Sequence, residues 1–109
     1  MIIYNKNVNK EALQKKLLNT LTNLEFYFKG DFTITSGFRT PEYNKLIGGS
    51  ITSSHMSGLA CDIACDNSRM RLLIVIYGFF AGFRRFGLAN DHVHLDVDPE
   101  KPQYCIWLE

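Results

Sequence analysis

The sequence predicts an α+β domain in which helices pack on one antiparallel sheet of about four strands. Three observations carry this reading. Leu13, Leu17, Leu21, Leu24 and Phe28 recur at spacings of three and four, the apolar stripe of an amphipathic helix. Stretches 31–36, 59–65 and 92–97 alternate in side-chain character, as half-buried strands do. The chain has 109 residues, 46% of them hydrophobic, which suits one core and a single domain over 1–109.

The elements follow in order. Residues 1–8 show no clear period. Asn9 is a candidate cap for the first helix, with Glu11 in its first turn, and Lys29 and Gly30 stop it after Phe28. Residues 31–36 form a strand that Gly37 ends or bends. Thr40 caps a short helix that begins at Pro41 and runs to about Leu46. Gly48, Gly49 and Ser50 make a turn, and the Ser- and Thr-rich residues 50–57 a loop. In the strand 59–65, Leu59, Cys61, Ile63 and Cys65 point one way, and Ala60, Asp62 and Ala64 the other.

Asp66, Asn67 or Ser68 caps a second long helix that ends near Gly82. It is apolar on nearly every side, so burial beneath the sheet or inside an oligomer is expected. Residues 83–89 read as a third strand and Asn90-Asp91 as a turn. The fourth strand, 92–97, has Val93, Leu95 and Val97 on one face and His92, His94 and Asp96 on the other. After a loop at 98–102, residues 104–108 form a last edge strand carrying Trp107.

Composition excludes several classes of function. A net charge of +1 gives no footprint for nucleic acid. The longest apolar run, 72–83, is broken by Gly78 and Gly82 and is too short to span a bilayer. The first six residues lack the order of a signal peptide, so synthesis in a reducing cytoplasm is expected. Three cysteines, an odd number, fit free thiols better than a disulfide framework. Cys61 and Cys65 lack the paired spacing of a zinc site and are expected to behave as small buried hydrophobes.

The chemistry concentrates in two stretches, 53–62 and 91–94, which hold all three histidines. His55, Asp62 and His94 would give two imidazoles and a carboxylate with a coordination position left open, a hydrolytic zinc arrangement. Asp62 sits between small side chains, which leaves room for a metal and a substrate. Its other reading, a turn-capping carboxylate, fits poorly inside a strand. Asp91 could stand beside a metal-bound water as its base, provided the backbone bends near Asn90. Otherwise Asn90-Asp91 is simply a good turn pair. Arg39 could hold a substrate carboxylate or carbonyl through two parallel hydrogen bonds, or be an ordinary surface arginine.

The motif Ser53-x-His55-x-x-Gly58-x-Ala60-x-Asp62 is preceded by Ser36-Gly37-Phe38-Arg39-Thr40 and followed by Asp91-x-x-His94. In register from 36 to 96, this resembles the M15 family of zinc D,D- and L,D-peptidases. That family includes D-alanyl-D-alanine carboxypeptidases and phage endolysin endopeptidases. The resemblance implies zinc ligands at His55, Asp62 and His94, and a general base at Asp91. It implies that Arg39 orients the substrate and stabilises the oxyanion, that His92 supports the site, and that Ser53 buttresses the ligand loop. It also implies a small α+β fold.

The expected activity is therefore zinc-dependent hydrolysis of the peptide stems of bacterial peptidoglycan, as an endopeptidase or a carboxypeptidase. The absent signal peptide fits release at phage lysis or carriage in a virion. The alternative is a non-catalytic, zinc-containing virion or wall-binding module on the same fold. The chain departs from its relatives in its short length, in lacking an appended wall-binding region, and in having Val93 where an aromatic residue often stands. The sequence leaves open which bond is cut and whether the protein is a monomer or a dimer.

Overall fold

Leu17, Leu21 and Leu24 form the buried side of helix α1 (Lys15–Phe28) in the computed structural model, which describes residues 1–109. They pack with Ile74 and Ala81 of helix α3 (Ser68–Ala81) on one face of a sheet. That face is lined by Phe32, Ile34, Cys61, Ile63, Phe86, Val93 and Leu95. Fully burying such a side chain contributes roughly 1.5–3 kcal/mol. Both helices therefore lie on one side of the sheet, and the opposite side is left to polar residues.

The sheet has six strands: β1 (Ile2–Tyr4), β2 (Phe32–Ser36), β3 (Ala60–Ala64), β4 (Arg85–Leu88), β5 (His92–Asp96) and β6 (Cys105–Leu108). Their order is β1-β2-β3-β5-β4-β6. The α+β class stands, and the expected count of about four antiparallel strands is corrected. The inner four are antiparallel, and the edge strands β1 and β6 each run parallel to their neighbour. With only three residues, β1 is too short to show a period, which is why residues 1–8 gave no signal.

Helix α1 does not start at Asn9. A 3-10 turn, Lys10–Ala12, comes first, and α1 begins after Gln14. The break has a cause in the tertiary structure. Gln14 N–H donates to the Gly58 carbonyl at 2.9 Å, and the Gln14 side-chain amide donates to the Ser57 carbonyl at 2.7 Å. The turn thus fastens the loop that carries His55. At its other end α1 stops on Lys29, in the left-handed conformation (φ 53°).

Helix α3 is capped by Asn67, whose side chain accepts from the Met70 N–H at 2.8 Å. Gly78 brings the helix close to the sheet, since a Cβ there would lie 2.9 Å from Phe86 Cε1. The helix is not buried all round. Ile74, Gly78 and Ala81 face the core, but Leu72, Phe79 and Phe80 are exposed. A single helical layer over one sheet has an outer side that nothing else in the chain covers.

Strand β2 carries an irregularity that matters for the site. Ile34 pairs with Ile63, but Ser36 pairs with Asp62, so two steps on β2 oppose one on β3. This β-bulge turns Ser36 from the core face to the polar face. Helix α2 (Pro41–Leu46) follows, with Thr40 Oγ accepting from the Tyr43 N–H at 3.1 Å.

Gly58 closes the His55 loop at φ +73°, and a Cβ there would stand 2.5 Å from the Ala12 carbonyl oxygen. Gly58→Ala should cost at least about 2 kcal/mol, from left-handed strain and the displaced backbone. A lower midpoint of urea unfolding at unchanged slope checks this. An unchanged midpoint would refute it.

Candidate metal centre

One row of side chains crosses the polar face. Ser36, Asp62, His94, Gly87 and Trp107 are successive register partners on β2, β3, β5, β4 and β6. Asp62 and His94 thus stand directly opposite each other, where Cβ atoms are about 4.5–5.5 Å apart. His55 comes from outside the sheet, on a 3-10 turn, Ser54–Ser57. Ser53 starts this turn, its Oγ accepting from the His55 N–H at 3.2 Å. The turn is held from beneath by Ser54 Oγ, which donates to Asp98 at 2.7 Å in a buried bond.

Hydrogen bonds fix both imidazoles. His55 Nδ1 lies 2.7 Å from the Gly37 carbonyl, which can only accept, so Nδ1 carries the hydrogen. His55 Nε2 then points at Asp62 Oδ1, 3.3 Å away. His94 Nε2 donates to Asp96 Oδ2 at 2.7 Å, and Nδ1 faces Asp62 Oδ1 at 3.5 Å. Asp96 is itself held by Arg85 Nε at 2.8 Å and by the Asp98 N–H at 3.1 Å. Such outer partners set the tautomer and direction of a ligating histidine.

The residues fit a metal ion. One ligand atom each from His55, Asp62 and His94 lies within 4.8 Å of the others. Asp62 Oδ1, between the two ring nitrogens, is buried and has no hydrogen-bond partner. A cation in contact with it would satisfy an atom whose burial otherwise costs free energy. Two imidazoles and one carboxylate are a zinc donor set that leaves a fourth position open.

The electrostatics agree. Burial opposes ionisation of Asp62, but the two neighbouring imidazoles outweigh it, and the carboxyl is held well below its usual range. For His94, burial opposes protonation, yet Asp62 and Asp96 overcome it and raise the pKa to about 9.

The cluster forms the floor of a cavity of about 340 Å³, lined almost wholly by polar residues. Arg39 enters from the β2–α2 turn. Its Nη2 is 3.7 Å from Asp62 Oδ2, its Nη1 donates to Asn44 Oδ1 at 3.3 Å, and its Nε is buried without a partner. This is not the ordinary surface arginine that the sequence allowed.

His92 lines the cavity, with Nε2 4.0 Å from Asp62 Oδ2. Asp91 does not line it. Its side chain is 87% exposed and bonds His92 Nδ1 at 2.7 Å, so it meets the site only through that ring. Burial opposes a charge on His92, but Asp62, Asp91 and Glu109 together raise its pKa.

Arg85, Asp96, Trp107 and Glu109 are among the residues of the site that had no role in the sequence reading. For Asp96 the signal was present, because alternation places it on the face of His92 and His94. Arg85 and Trp107 come from β4 and β6 and Glu109 follows β6, and the parallel pairing of these strands has no local signature.

A metal can bind His94 only where Nδ1 has lost its proton. Metal binding at pH 7 should therefore release about one proton, and affinity should rise with pH and level off near 9. The metal-free protein has a related dependence. The folded pKa of His94 is raised, so its pairing stabilises fully below about 6.5 and is lost as pH rises through 9. Calorimetry in buffers of different ionisation enthalpy measures the release, and none at pH 7 would refute the assignment.

The sequence matches the family model for Peptidase M15 over residues 2–96. No curated protein matches it significantly. The fold is similar to that of Serratia marcescens L-Ala D-Glu endopeptidase ChiX, with a TM-score of 0.65 and 16% identity over 81% of this chain and 82% of that one. At that identity the likeness is one of fold. The family match takes in Arg39, His55, Asp62, His92 and His94, and on its extent this chain belongs to the peptidase M15 family.

Proposed function

We propose that this protein is a zinc-dependent peptidase that hydrolyses the peptide stems of bacterial peptidoglycan. The observation that carries the reading is the unpartnered Asp62 Oδ1, facing His55 Nε2 and His94 Nδ1 on the floor of a polar cavity. Family membership supports peptide hydrolysis, and the similar fold of an L-Ala D-Glu endopeptidase supports a wall peptide as substrate.

His55, Asp62 and His94 would hold the zinc. Zinc held there would lower the pKa of a bound water toward about 7 and supply Lewis acidity. The chain's own groups do the rest. Asn44 and Ser36 fix the guanidinium of Arg39 at the cavity wall, where it can meet a substrate carboxylate or a developing oxyanion. His92 presents Nε2 to the cavity as a proton donor for the departing nitrogen. Asp91 accepts from Nδ1 of the same ring, holding its orientation and favouring its charged form. Ser53 keeps the His55 turn in shape.

Digestion of purified peptidoglycan, with and without a zinc chelator, tests the activity. Chelator-sensitive release of new amino termini is expected, and fragment masses will name the bond. No cleavage of any wall type by zinc-loaded protein would refute the peptidase. His55→Ala should lose the metal by elemental analysis. Asp91→Ala should keep it and lower kcat by about 10-fold or more, in line with a group that supports acid–base catalysis. Full activity in Asp91→Ala would remove that residue from the mechanism.

A further inference from the structure

The charged side chains of the cavity are matched one against another, with one exception. Arg39 faces Asp62, Arg85 is paired with Asp96, and Glu109 lies against His92. Lys101 lines the same cavity, and its Nζ donates to the neutral Thr52 carbonyl instead of to a carboxylate. An ammonium has three hydrogens to donate, so two are left over. Lys101 is bonded to none of the three candidate ligands, whereas Arg39 reaches to within 3.7 Å of Asp62.

Lys101 stands on the loop between β5 and β6, and residues of the site pin that loop. On one side of Lys101, Ser54 Oγ donates to Asp98 Oδ2 at 2.7 Å; on the other, Arg85 Nη1 donates to the Pro102 carbonyl at 2.6 Å. Gln103 Nε2 donates to the Lys101 carbonyl at 2.8 Å and to that of Asp98 at 3.0 Å. The backbone under Lys101 is thus set in advance, which lowers the cost of holding a ligand. A run of hydrogen bonds also joins this residue to Arg39 along the rim. Arg39 Nη1 donates to Asn44 Oδ1, and Asn44 Nδ2 to the Ser50 carbonyl at 2.8 Å. Ser50 Oγ meets Thr52 Oγ1 at 3.1 Å, on the residue whose carbonyl Lys101 holds. Two cations therefore stand at the two ends of one rim segment, and only the one remote from the cluster lacks a carboxylate.

We propose that Lys101 binds a free carboxylate of the stem peptide and selects substrates that carry it. The inference rests on the peptidase reading above and adds to it a chemical feature of the substrate. A carboxylate accepting from the spare ammonium hydrogens forms charge-assisted hydrogen bonds, the stronger kind. Amidation of that carboxyl keeps its shape and removes its charge, so Lys101 discriminates by charge alone. A peptide held in this way lies along the rim, with its scissile carbonyl toward Arg39 and the cluster. Lys101 is a specificity-determining residue and takes no part in proton transfer.

The test compares a synthetic stem peptide with versions amidated at one carboxyl at a time, so the version that is cleaved poorly names the carboxyl. For zinc-loaded wild type, one amidation is expected to lower kcat/KM at least about 10-fold, in line with a hydrogen bond to a charged group. In Lys101→Met, which removes the charge and keeps an unbranched side chain, that preference disappears. Lys101→Arg keeps it, and Lys101→Glu turns it toward the amidated peptide. A purely structural role, holding Thr52 in place, would lower kcat/KM on every peptide alike and leave the wild-type preference in Lys101→Met. That outcome overturns the proposal, as does a wild-type enzyme indifferent to every amidation. Trp107 is the chain's single tryptophan and lines the cavity, so its emission measures binding without turnover. In metal-free wild type the free carboxylate should tighten binding at least about 10-fold, and in Lys101→Met it should make no difference. Zinc-loaded wild type that cleaves none of the peptides overturns the peptidase reading. The emission then decides this inference by itself, and equal affinities for free and amidated peptides overturn it.

Discussion

Asp62 and His94 face each other across β3 and β5, and the rest of the site is arranged around that pairing. The register is held from both sides. Core residues Cys61, Ile63, Val93 and Leu95 alternate with the site residues, so a slip of one position would carry Asp62 into the core and an apolar side chain into the cavity. The hydrophobic pattern that builds the sheet therefore also sets the spacing of two candidate ligand residues. Only His55 must be placed by other means, and the chain spends several bonds on it: Gly37, Ser53, Gln14 and the buried Ser54–Asp98 contact.

A second layer of polar groups stiffens the first. Arg85 and Asp96 form a buried ion pair beneath His94, and the guanidinium of Arg85 also lies 4.8 Å from the Trp107 ring centroid. Burying such a pair is costly in itself, and its gain is geometric. It prevents His94 from rotating, so Nδ1 points into the cavity before any ligand arrives. Pre-set groups of this kind need no reorganisation during reaction.

The sequence revealed most where chemistry and secondary structure share a period. Alternation along 59–65 and 92–97 placed Asp62, His94 and Asp96 on the polar face from parity alone, and the structure keeps that parity. Helix spacing found α1 and length indicated α3; the cap at Thr40 is where the residue types put it, and Asn67 is one of the three caps left open for α3. What was not legible depended on distant contacts. Asn9 looked like a helix cap, but α1 begins later because Gln14 is bound to the His55 loop. The outer side of α3 is apolar and exposed, a fact of layering that periodicity does not report. Strands β1 and β6 pair in parallel after long connections, so no short-range signal tied Trp107 and Glu109 to His92 and His94.

Cys61 sits one residue before Asp62 and is fully buried on the opposite face, with burial pushing its thiol pKa well up. The pleat thus keeps sulfur away from a site that lies only a strand's thickness from it. A thiolate would have drawn soft, thiophilic ions such as cadmium and copper(I), and would have offered oxidants a foothold beside the cavity. A metal held there would meet nitrogen and oxygen donors alone, and that choice is made by which way a single strand is pleated.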